Sequence, residues 1–137
     1  MSLSFRSTTH PGYVHVVCEG SYSLDAMLEL LDRIFVHVAD AGRDAVLTDV
    51  RALTVPEPTM ADRYTIAVHI AELQAAQRPR IRLAAVGNEP FIHPERFGEI
   101  VATRHGAVAR TFTDETQALE WLLGSPGPRL AGGEALD

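Results

Sequence analysis

Between Leu24 and Val38 the apolar residues Leu24, Met27, Leu28, Leu31, Ile34, Phe35 and Val38 recur at intervals of three and four, so they share one face of a helix. Ser23 supplies an N-cap, Asp25 suits the first turn, and Gly42 after Asp40-Ala41 provides a left-handed stop. Before this helix the period changes to two. Leu3 to Thr8 alternates weakly, His10-Pro11-Gly12 signals a turn, and Tyr13 to Glu19 alternates again, which predicts a hairpin ended by Gly20-Ser21-Tyr22-Ser23. In its second strand Val14, Val16 and Cys18 share one face, with Tyr13, His15 and Val17 on the other. Asp44 to Arg51 is a short apolar run that ends on charge, with a helical segment on either side. It reads as the central strand of a sheet, with Asp49 and Arg51 at the end where α/β proteins place ligands.

The prolines at 56 and 58 make Ala52 to Thr59 a loop at that end. Thr59, with Asp62 three residues on, predicts a capped helix reaching about Ala76. This helix is apolar on two sides. Met60, Tyr64, Ala67, Val68, Ala71 and Ala75 form one stripe and Ile66, Ile70 and Leu73 another, with Arg63 and Gln74 on a flank between them. One stripe covers the sheet; the other calls for a neighbouring helix, a dimer surface or the wall of a lipophilic pocket.

Arg80 to Gly87 follows as an inner strand, and Asn88-Glu89-Pro90 as a loop at the same end as Asp49. Pro94 is expected in the first turn of a helix running to His105-Gly106. Val108 to Phe112 is a last short strand. A helix from Glu115 to Leu123, capped by Thr113 or Asp114, turns Ala118, Trp121 and Leu122 inward. The predicted fold class is α/β, in the order β-β-α-β-α-β-α-β-α: a mostly parallel five-stranded sheet with one antiparallel edge strand and four helices. The domain is expected over 1–124, followed by a Pro- and Gly-rich tail, 125–137, that is flexible and dispensable for folding.

Composition narrows the function. A chain of 137 residues that is 46% hydrophobic and 22% charged fits one packed soluble domain. Its formal net charge of -6 argues against nucleic acid and against anionic membrane surfaces. No apolar stretch approaches the ~20 residues of a membrane span. Cys18 is the sole cysteine, a core thiol that fits a reducing, cytoplasmic setting.

No cofactor or metal site emerges from the motifs. His93-Pro94-Glu95 has the His-x-Glu spacing of zinc deaminases but lacks the paired cysteines, and His37 and His69 have no carboxylate at ligand spacing. There is no Gly-rich phosphate loop and no Gly-x-Ser-x-Gly elbow. Asp49, Arg51 and His93 could converge on one cleft because loops after adjacent parallel strands meet at one sheet end. The plainer alternative is that Asp49 caps backbone amides and Arg51 pairs with it or with Glu57.

The strand Ala45-Val46-Leu47-Thr48-Asp49-Val50-Arg51, the strand Leu83-Ala84-Ala85-Val86-Gly87, and Val108 to Asp114 followed by Ala118-Leu119-Glu120-Trp121-Leu122 carry a family resemblance. From Gly20 to Gly124 the chain resembles the SpoIIAA-like branch of the STAS superfamily, also described as STAS/SEC14-like domains. That resemblance implies the sheet-and-helix fold above and no established reaction. In the anti-sigma-factor antagonists of the superfamily, a serine or threonine opening the helix after the central strand is phosphorylated to switch partner binding. The residues in place here are Thr54 and Thr59, and Thr59 also serves as a plain N-cap.

The leading expectation is a non-enzymatic bacterial regulatory or protein-binding module. It would self-associate as a homodimer and bind partners through the loop end near Asp49, Arg51, Thr54 and Thr59 together with the second helix. A carrier of a small apolar or amphipathic, lipid-like ligand, held by Ile66, Ile70 and Leu73, is the alternative. A small enzyme using Asp49 and His93 is the third.

Overall fold

In the computed structural model, which describes residues 3–54 and 56–124, the first alternating segments form an antiparallel hairpin of β1 (Leu3–His10) and β2 (Tyr13–Ser21). β2 runs past the expected break at Gly20. The reason lies in the predicted loop after the central strand, where Leu53–Thr54 forms a two-residue strand, β4, that pairs in parallel with Gly20 and Ser21. Between them come α1 (Leu24–Asp40) and β3 (Ala45–Asp49), and after them α2 (Met60–Ala75), β5 (Arg82–Val86), α3 (Phe97–Arg104), β6 (Ala109–Phe112) and α4 (Glu115–Leu122). The expectation for 125–137 lies outside the described residues.

The five main strands lie in the order β1-β2-β3-β5-β6, so β3 is central as its pattern predicts. Only β1 with β2 is antiparallel; β3 is parallel to β2 and β5, and β5 to β6. Successive residues of β3 point to opposite faces. Val46 and Val50 join Val14, Val16, Cys18, Leu83 and the buried stripe of α1. Ala45 and Leu47 instead join Ala84, Val86 and Phe112 beneath Ala118 and Leu122 of α4.

α1 starts and stops where its sequence says. Ser23 Oγ accepts the Ala26 N–H at 3.2 Å, and Gly42 takes a φ of 72°. α3 begins later than predicted: Pro94 lies in the turn before it, and Arg96, at φ 57°, is the residue at its N-terminus. The 88–96 loop folds back over the sheet end, which requires Gly87. A Cβ there would sit 2.6 Å from Ile92 Cγ1 and 2.8 Å from Val50 Cγ2.

α2 departs most from its pattern. Its buried positions are Arg63, Ala67, Ala71 and Gln74, so the deepest face joins two alanines of the first predicted stripe to the polar flank beside it. Met60 and Tyr64 face solvent, and Ile66, Ile70 and Leu73 are half-buried against the core around α1. Burial of the two polar side chains is made tolerable by hydrogen bonding. Gln74 Nε2 donates to the Ile81 and Val108 carbonyls at 2.8 and 2.9 Å, and its Oε1 accepts the Val108 N–H at 2.8 Å. Arg63 donates to the carbonyls of Phe91 and Pro90 at 2.6 and 2.7 Å.

Cys18 is buried, and its thiol is pushed up to about 12 by burial and then by the negative charge of Asp49. It should therefore remain a thiol at neutral pH. A disulfide reagent is expected to label it only after denaturation; labelling at equal rates in native and unfolded protein would contradict this burial.

Candidate functional site

The C-terminal sheet end holds two groups of side chains on opposite faces. On the α4 face, Arg51 closes a fork onto Asp49: its Nε donates to Oδ1 at 3.0 Å and its NH2 nitrogen to Oδ2 at 2.7 Å, while the Arg51 backbone N–H also reaches Oδ1 at 2.9 Å. The same NH2 nitrogen donates to Glu115 at 2.9 Å. Of the two expected partners of Arg51, Asp49 is the one found, and Glu115 takes the place of Glu57, because β6 is parallel to β5 and delivers the start of α4 to this end. Glu57 lies 3.7 Å from Arg63 instead. Burial raises the pKa of Asp49, but the side-chain and backbone hydrogen bonds from Arg51 outweigh it and leave the carboxyl below its ordinary value.

His15, on the same face, brings its ring within 4.8 Å of the ligand atoms of Asp49 and Glu115, and its Nε2 is buried without a partner. Those three residue types can hold a divalent cation. Arg51 already supplies the positive charge to both carboxylates, so a cation would have to displace its guanidinium.

The other face carries a cavity of about 140 Å³ between the sheet, α2 and the 88–96 loop. Ile66 and Ile70 line it from α2, Phe91 and Ile92 from the loop, and Thr48 from β3. Thr48 is 4% exposed, and its hydroxyl has no hydrogen-bond partner. Arg63, His93 and Arg96 also line this cavity.

The structure thus brings Asp49 and Arg51 together, and Ile66, Ile70 and His93 together, but separates the two sets by the thickness of the sheet. Leu73 packs on the core around α1. His93 accepts the Glu95 N–H on Nδ1 at 3.1 Å. Thr54 lies in β4 opposite Ser21. Thr59 caps α2 in a reciprocal box with Asp62, whose carboxylate also accepts the Tyr22 hydroxyl at 3.0 Å. Sequence reading missed Arg63, Thr48 and Glu115. The parallel strand order could have placed Glu115, since α4 follows a strand that ends beside Val86. Nothing in the local pattern marks the other two.

No protein-family model matches the sequence, and no curated protein matches it either. Among solved structures, the chain is similar to an anti-sigma factor antagonist from Mycobacterium paratuberculosis, with a TM-score of 0.59 and 13% identity over 88% of this chain and 94% of that one. It is also similar to an uncharacterised DUF3478-family protein with a SpoIIAA-like fold from Shewanella loihica PV-4, with a TM-score of 0.49 and 17% identity over 88% and 93%. The chain has the SpoIIAA-like α/β fold that the sequence resemblance implies. Among the described residues no helix is long and apolar enough to cross a membrane.

Proposed function

We propose that the protein is a non-enzymatic regulatory module that binds a protein partner, including a second copy of itself, through α2 and the loop end near Asp49. The observation that carries this reading is the outer face of α2. Met60 and Tyr64, one turn apart, are 47% and 49% exposed. Large apolar side chains exposed at helical spacing suit burial against a partner. The fold is shared with an anti-sigma factor antagonist, a role that is itself one of protein binding. Committing Asp49 to Arg51, across the sheet from His93, favours binding over the two-residue enzyme. Thr59 is the proposed regulatory hydroxyl. A phosphate there would gain from the helix N-terminus and meet the Asp62 carboxylate, so it would have to open the capping box.

Light scattering over a wide concentration range tests the self-association. Wild type is expected to dimerise, and a Met60→Glu, Tyr64→Glu double variant to stay monomeric with an unchanged melting temperature. A wild type that remains monomeric at high concentration would remove the homodimer.

A second reading, binding of a small apolar or amphipathic ligand, is favoured by one specific observation. The α2 stripe of Ile66 and Ile70 borders a cavity as well as the core around α1.

A further inference from the structure

We infer that the cavity between β3, α2 and the 88–96 loop is a binding site for a small carboxylic acid with a compact apolar body. This rests on the second reading above and names the class of ligand. The size comes first. About 140 Å³ matches apolar cavities that take one benzene ring, and it is too small for a long acyl chain. Ile66, Ile70, Phe91 and Ile92 supply apolar walls for such a body.

The head group follows from charge. In a chain of net charge -6, the cavity is lined at its loop end by Arg63, Arg96 and His93. Among the described residues the Arg96 side chain makes no hydrogen bond or ion pair; its backbone N–H donates to the His93 carbonyl. Arg63 is 8% exposed; its close partners are two neutral carbonyls, and Glu57, at 3.7 Å, is a loose counter-charge. The acid within the lining, Glu99, is already engaged by the Thr111 N–H and hydroxyl at 2.9 and 3.1 Å. A buried guanidinium with incomplete neutralisation favours an anion in its neighbourhood.

The polarity is therefore directional: the ring or branched chain packs against α2 and the sheet, and the carboxylate faces the loop. Because Arg63 ties α2 to Pro90 and Phe91, an occupant would bear on the loop and on the helix proposed to meet the partner.

Benzoate and toluene, a charged and a neutral probe of similar body, separate the parts of this proposal when titrated into the full chain by calorimetry and amide NMR. Benzoate is expected to bind more tightly than toluene, shifting the amides of Ile66, Ile70 and Phe91 to Arg96. Arg96→Gln, at an exposed position, should weaken benzoate by about tenfold and leave toluene unchanged. Ile70→Trp should fill the cavity and abolish both. Toluene binding as tightly as benzoate would overturn the acid while leaving the ligand-binding reading standing. Binding of neither probe to a folded wild type would overturn both.

Discussion

Gln74→Met is expected to destabilise the protein by about 2–4 kcal/mol, although it keeps the length and apolar stem of the side chain. Gln74 is 1% exposed and joins the C-terminal half of α2 to the entry of two strands. Its amide satisfies the Ile81 and Val108 carbonyls and the Val108 N–H. The Val108 carbonyl also accepts the Leu83 N–H at 3.1 Å, so that group would stay partnered. The Val108 N–H and the Ile81 carbonyl would each lose this partner, and an orphaned buried group costs about 1–3 kcal/mol. Chemical denaturation measures the effect. A Met variant as stable as wild type would mean that Gln74 only fills space.

Arg51→Ala is expected to cost about 1–2 kcal/mol at neutral pH, less than the loss of one partner from a fully buried pair because Arg51 is itself partly solvated. The pH dependence is the sharper signature. Asp49 has a lowered pKa in the folded protein, so its contribution to stability is present above the ordinary carboxyl value of 3.8 and is lost as pH falls through the lower folded value. Without Arg51, burial, the largest influence on Asp49, is opposed only by the weaker interaction with His15, and the pKa rises. The stability difference between wild type and variant should be widest near neutral pH and should close as Asp49 protonates in acid. A difference independent of pH would assign the effect of Arg51 to packing.

These two effects bear differently on function. The Gln74 clamp belongs to the scaffold on which α2 rests. The Asp49–Arg51–Glu115 group stiffens the sheet end where the loop to α2 departs, on the face away from the cavity. Charge held in this way positions a surface, as the proposed binding module requires.

Much of this architecture is set by short-range pattern. The apolar spacing of Leu24 to Val38 determined α1, and Ser23, Gly42 and the Thr59–Asp62 box determined where helices begin or end, because caps satisfy backbone groups within a few residues. The apolar run at 45–49 determined a buried strand, and the αβ alternation made it central. Asp49 with Arg51 was legible too, as neighbours two apart at a strand end.

Only the tertiary structure decided which side of α2 is inside. By composition, Arg63 and Gln74 belong to a solvated flank; in the fold they are buried because the strand entries and the 88–96 loop present backbone groups that no strand or helix partner fully satisfies. Alanines at 67 and 71 let the helix come close enough to serve them. The separation of Asp49 from His93 was likewise decided by strand alternation in three dimensions, since both loops end at one edge but on opposite faces. The cavity depends on how far Ile66 and Ile70 stand off from Thr48, a distance fixed by packing between elements and written in no local period.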